Sequence, residues 1–71
     1  MRKRSLTIAG HRTSLALEDD FWTGLEALAT ARGEALTATI RAIDEVRTEP
    51  NLSSAVRVAV LAFYRDGKSG F

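Results

Sequence analysis

The stretch Ser5-Leu6-Thr7-Ile8-Ala9-Gly10-His11-Arg12-Thr13-Ser14-Leu15-Ala16-Leu17 decides the fold. Residues 5–9 and 12–17 each alternate apolar with polar, the period of a half-buried strand. Gly10-His11 lies between them, and two residues with glycine first suit a type II′ hairpin turn. That register sets Ile8 opposite Thr13 and Leu6 opposite Leu15, on one face with Leu17. The other face carries Ser5, Thr7, Ala9, Arg12, Ser14 and Ala16. One face is thus apolar, the other polar and basic, as a strand pair lying on a core requires. A single strand over 12–17, preceded by a mobile arm, is the competing arrangement.

Outward from this stretch the sequence turns helical. Glu18-Asp19-Asp20 brings acids to a helix start, where they complement the positive end of the dipole. Phe21, Leu25, Leu28 and Arg32 follow helical spacing, Trp22 and Ala29 widen the stripe, and Gly33 suits the left-handed position after a helix. A second helix is predicted over Thr37 to Arg47, with Thr37 as its cap. Leu36, Ile40, Ile43 and Val46 or Arg47 form its inner stripe, and Pro50 closes it. Asn51 or Ser53 caps a third helix running to about Arg65. Its run from Ala55 to Tyr64 is apolar nearly all round. No internal repeat or low-complexity segment is evident. The domain is expected over 1–66, with 67–71 as a flexible tail.

Seventy-one residues make one domain with a modest core. Small domains gain stability from disulfides, a metal or a partner chain. Cysteine is absent and His11 is the single histidine, so neither a disulfide nor a metal site is expected. One copy has too little chain to cover the third helix, which points to a homodimer. Leu15, Leu17, Val56, Val60 and Phe63 are the expected dimer core. No apolar run approaches the roughly 20 residues that span a membrane. The basic start gives way to alternation rather than an apolar stretch, so a cytoplasmic location is expected.

The net charge is +1, but Arg2, Lys3, Arg4 and Arg12 all precede the first acid, Glu18. A basic end of this kind marks an anion-binding region, or simply a solvated tail. Enzyme chemistry has little to stand on. His11 lies in a turn, three consecutive acids do not face one another as a catalytic pair, and the glycines are isolated. No catalytic residue and no cofactor are expected. DNA binding fits better, because a two-stranded ribbon enters the major groove and reads base edges. Arg12, Ser14 and Ala16 are the base-reading candidates: arginine bonds guanine through two donors, and an alanine methyl can touch thymine. Arg2, Lys3 and Arg4 can neutralise phosphates. Ser53 and Ser54 open the third helix with no acid in its first turn, so its free amides suit a phosphate.

The order strand, acid-capped helix, glycine, then a helix opening with Leu52-Ser53-Ser54-Ala55 resembles the ribbon-helix-helix superfamily. Lys3 to Ser14, above all Gly10-His11-Arg12-Thr13-Ser14, is similar to the start of a family of short bacterial ribbon-helix-helix proteins. That likeness runs to about Tyr64. It implies a mainly α fold with a short N-terminal β-ribbon or hairpin, an intertwined homodimer with strands paired across the two-fold axis, and transcriptional regulation through double-stranded DNA. Outward ribbon residues, here Arg12, Ser14 and Ala16, would read bases, while Ser53 and Ser54 would hold phosphate. The chain departs from the usual pattern in its extra middle helix, which makes Thr37 to Thr39 a rival phosphate site. The strand before Gly10 is also extra. With so low a net charge, a dimeric protein-interaction module on the same fold is the alternative function.

Overall fold

The computed structural model describes residues 1–67. Two strands, β1 (Arg2–Ile8) and β2 (His11–Leu17), lead into three helices, α1 (Asp19–Arg32), α2 (Leu36–Val46) and α3 (Leu52–Asp66). The strands form one antiparallel hairpin, so the competing arrangement of a lone strand with a mobile arm is set aside. Residues 68–71 of the expected tail lie outside the described residues.

The hairpin turns one residue earlier than predicted. Ile8 pairs with His11, leaving Ala9-Gly10 as the loop. Both loop residues have positive φ, 52° at Ala9 and 83° at Gly10. Positive φ at both positions is the type I′ turn, whose twist matches that of the strands. A type II′ turn would need it at the first position only. The true partners of Leu6 and Leu15 are therefore Thr13 and Arg4. This register differs from the predicted one by two residues, an even number, so every side chain keeps its predicted face. β1 also starts earlier than the alternation suggested, and Arg2, Lys3 and Arg4 belong to a strand rather than a tail.

The helices follow from their ends. Glu18 is the N-cap residue of α1, with acids in the first turn and Arg32 in the last, and Gly33 takes the left-handed position at φ 69°. α2 begins at Leu36 after Ala35, not at Thr37, and has no side-chain cap. Asn51 caps α3, its Oδ1 accepting from the Ser54 N–H at 3.2 Å.

The inward face of the hairpin supplies Ile8, Leu15 and Leu17 to the core, where they meet Trp22, Leu25 and Leu28 of α1, Ile40 and Ile43 of α2, and Ala55, Val56 and Val60 of α3. Trp22 is 1% exposed, and its indole N–H donates to the Arg2 carbonyl at 2.9 Å, which satisfies its polar edge. The accessible surface is 4435 Å² for 7.8 kDa, close to the roughly 4400 Å² that a folded monomer of this mass exposes. Within the single chain α3 buries Ala55, Val56 and Val60 but leaves Val58, Leu61 and Tyr64 exposed, in keeping with a helix that one copy does not cover. Leu15, Leu17, Val56 and Val60 are at most 3% exposed within the single chain, and Phe63 is half-buried against the same core. Among the described residues, the large apolar side chains left outside are Met1, Val46, Val58, Leu61 and Tyr64. Val46 fits the spacing of the α2 stripe, but it is the last helical residue and points away from the core.

Candidate nucleic-acid interface

The hairpin has an outward face built from alternate residues of both strands. The register sets Lys3 beside Ala16, Ser5 beside Ser14, and Thr7 beside Arg12. Ala16 is half-buried and the other five are exposed. A shallow pocket on this face is lined by Ser5, Arg12, Thr13 and Ser14. The predicted base readers Arg12, Ser14 and Ala16 thus share one surface. Lys3, read from the sequence as a phosphate contact, stands among them with Ser5 and Thr7. The parity that placed Arg12 and Ser14 outward was also the signal for Lys3.

The charge around this face is one-sided. Residues 2–17 contain four cations and no acid. Elsewhere arginines are neutralised: Arg32 by Glu34, Arg41 by Glu45, Arg47 by Asp44, Arg57 by Glu18 and Arg65 by Asp66. Among the described residues, Lys3, Arg4 and Arg12 are the lysine or arginine side chains with no carboxylate partner. Arg4 is held on the inner side, its guanidinium 4.3 Å from the centre of the Trp22 ring. Arg2 reaches Asp19 at 3.3 Å, with both side chains well exposed.

Glu18, the acid that directly follows β2, is engaged. Both oxygens of Glu18 accept from Arg57, at 2.9 and 3.3 Å. This pairing lowers the Glu18 carboxyl below its ordinary value. It also ties the end of β2 to the second turn of α3.

The predicted phosphate residues do not form one cluster. Ser53 and Ser54 open α3, which packs on the inward side of the hairpin, and the Ser54 amide already serves Asn51. The rival start, that of α2, lies beside the hairpin tip, where Thr37, Ala38 and Arg41 line a cleft with Thr7, Ile8 and Ala9. Thr39 takes no part there. It is fully buried, and its hydroxyl donates to Glu34 at 3.0 Å. Among the described residues, no group of three His, Cys, Asp or Glu could hold a metal ion. No helix among them is long and apolar enough to cross a membrane.

The profile of the family described as the ribbon-helix-helix domain matches residues 1–64. The chain belongs to that family. Neither a curated protein nor a solved structure matches it. Ribbon-helix-helix domains are typically DNA-binding transcription regulators. The match runs through all three helices, so the middle helix lies inside the family's domain.

Proposed function

We propose that this ribbon-helix-helix protein is a sequence-specific, DNA-binding transcriptional regulator of the cytoplasm. It sets the outward face of its hairpin in the major groove of double-stranded DNA. The observation that carries this reading is the pair of uncompensated cations, Lys3 and Arg12, on an exposed strand face without acids. Arg12 reads a guanine edge through paired donors, Ser14 hydrogen-bonds a base, and Ala16 meets a thymine methyl. Arg2 and Arg4, at the open end of the hairpin, strengthen the local field for phosphates. Glu18 and Asp19 are held by Arg57 and Arg2, which removes two acids from the competition with phosphate.

The protein works as a homodimer. The exposed Val46, Val58 and Leu61 supply an apolar surface for the second copy, in place of the side chains already sealed in the core. The same surface is what favours the second reading, a protein-interaction module that captures a different chain through α2 and α3.

Titration of a mixed-sequence duplex between 50 and 200 mM salt separates the two. If two to four cations per chain displace counterions, the affinity of a dimer falls about 150- to 20,000-fold over that range. Binding that is absent, or indifferent to salt, would favour the interaction module.

A further inference from the structure

The two edges of the hairpin are open but not alike. The tight turn closes on Ile8 and His11, so those two exchange backbone hydrogen bonds, and the pairs alternate from there. Leu6–Thr13 and Arg4–Leu15 are bonded, whereas Thr7–Arg12, Ser5–Ser14 and Lys3–Ala16 are not. The backbone N–H and C=O groups of these last six residues point away from the hairpin, three residues to each edge. None of the backbone bonds formed outside the helices and the hairpin involves them. The same six carry the outward side chains. Each edge therefore presents free amides beside residues of the DNA-facing surface.

One edge is fit to take another strand and the other is not. β1 opens with Arg2-Lys3-Arg4, and a second copy of it alongside would gather two such runs of cations, an arrangement that blocks edge pairing. β2 carries one arginine, near the turn, and continues as Thr13-Ser14-Leu15-Ala16-Leu17. β2 also packs against α3, the helix that leaves Val58 and Leu61 exposed, whereas β1 packs against α2. A second copy joining at β2 gains backbone bonds and apolar area on the same half of the molecule. The product is a four-stranded sheet, with β2 and its mate at the centre and a β1 on each flank.

Width then divides the roles. The central pair, about 4.8 Å apart, fits a major groove roughly 12 Å wide. The two β1 strands lie about 14 Å apart, wider than the groove, and come to rest on its walls, which are phosphate backbone. We infer that β1 grips phosphodiesters rather than bases, through the Lys3 ammonium, the Ser5 and Thr7 hydroxyls and the free amide N–H groups of these three residues. Each of these groups is a phosphate donor. Lys3 has no carboxylate partner, and residues 2–17 contain no acid to compete with phosphate. Arg2 and Arg4 stand outside this row, because both have the inward parity and are held by Asp19 and Trp22. The inference rests on the DNA-binding reading above and deepens it. Base preference comes from β2, and β1 supplies affinity that is indifferent to sequence.

Selection from a random-sequence duplex library, followed by titration of the selected duplex and a scrambled one at 50 and 200 mM salt, tests this. The proteins are the wild type, Lys3→Ala, the double variant Ser5→Ala/Thr7→Val and Arg12→Ala, each checked for an unchanged melting curve. The altered side chains are exposed, so the fold should persist. Lys3→Ala should select the wild-type sequence and bind both duplexes more weakly. A dimer loses two phosphate contacts, so the salt slope should fall by about 1.8, and the deficit should be about 12-fold greater at 50 mM than at 200 mM. Ser5→Ala/Thr7→Val should also weaken both duplexes alike, with the slope unchanged because no cation is removed. The inference is overturned if either variant selects a different sequence, since β1 then reads bases. It is equally overturned if either binds as the wild type does at both salts, since those groups then hold no phosphate. In both cases Arg12→Ala still loses its base preference, and the DNA-binding reading stands. A wild type that selects no sequence and binds neither duplex overturns both.

Discussion

Replacing Gly24 by alanine should destabilise the fold by about 1 kcal/mol, although it improves the helix. Gly24 lies inside α1 and faces α3. A Cβ built on it would come 2.6 Å from Val60 Cγ1 and 3.1 Å from Tyr64 Cε2. Alanine in place of glycine favours a helix interior by about 0.8–1.0 kcal/mol. Opposing this is the crowding of a filled contact, which costs about 1–3 kcal/mol. The outcome depends on which neighbour can yield. Tyr64 is 60% exposed and can swing aside, but Val60 is 3% exposed. As a β-branched residue in a helix, Val60 is also confined to one χ1 rotamer. The helices must therefore separate, and the melting temperature should fall by about 4–8 °C. Urea unfolding followed by fluorescence of the buried Trp22 measures the change. In a Val60→Ala background the obstacle is gone, and Gly24→Ala should instead stabilise by about 0.8–1.0 kcal/mol. A higher midpoint for Gly24→Ala with Val60 intact would refute the close approach of α1 to α3.

Three further expectations concern the hairpin, the Glu18 pair and the apolar face. Ala9 adopts a left-handed conformation that costs an alanine about 1–2 kcal/mol. Ala9→Asn, giving the Asn-Gly loop favoured in type I′ turns, should therefore raise the melting temperature, and an unchanged or lower value would count against the turn. The Arg57 hydrogen bonds lower the folded pKa of Glu18, so their contribution is fully present above the ordinary value of 4.5 and is lost as pH falls through the lowered one. The stability gap between wild type and Glu18→Gln should accordingly be largest at neutral pH and shrink in acid. An equal gap at pH 7 and in strong acid would show that Glu18 acts by some other route. Val58→Glu places a charge on the exposed apolar face and should shift the sedimentation profile towards monomer, whereas an unaltered profile would place the dimer contact elsewhere.

The two strand faces were legible in the sequence because alternation fixes parity, and parity survived a mistake about the turn. The turn itself was not legible. Gly10 accepts positive φ at either loop position, and nothing in an alanine announces that Ala9 will share that conformation. The helices were legible from their stripes, and their ends where a side chain marks them, as Asn51 and Gly33 do. The start of α2 carries no such mark, because Ala35 has no capping group. Composition showed that α3 is apolar all round, but it could not say how much of α3 the same chain covers. That depends on how α1, α2 and the hairpin close over Val56 and Val60 in three dimensions. The site was half visible. Arg12 and Ser14 stand out as outward residues of a strand, while Lys3 lies in the basic run before the strict alternation begins at Ser5.

The most direct test of the central claim is selection by purified wild type and Arg12→Ala from a random-sequence duplex library at two salt concentrations. A sequence enriched by the wild type at both salts, with the guanine preference lost in Arg12→Ala, is the predicted result. A folded wild type that enriches nothing, or an Arg12→Ala variant that enriches the same sequence equally well, would contradict the assignment of the ribbon face to DNA.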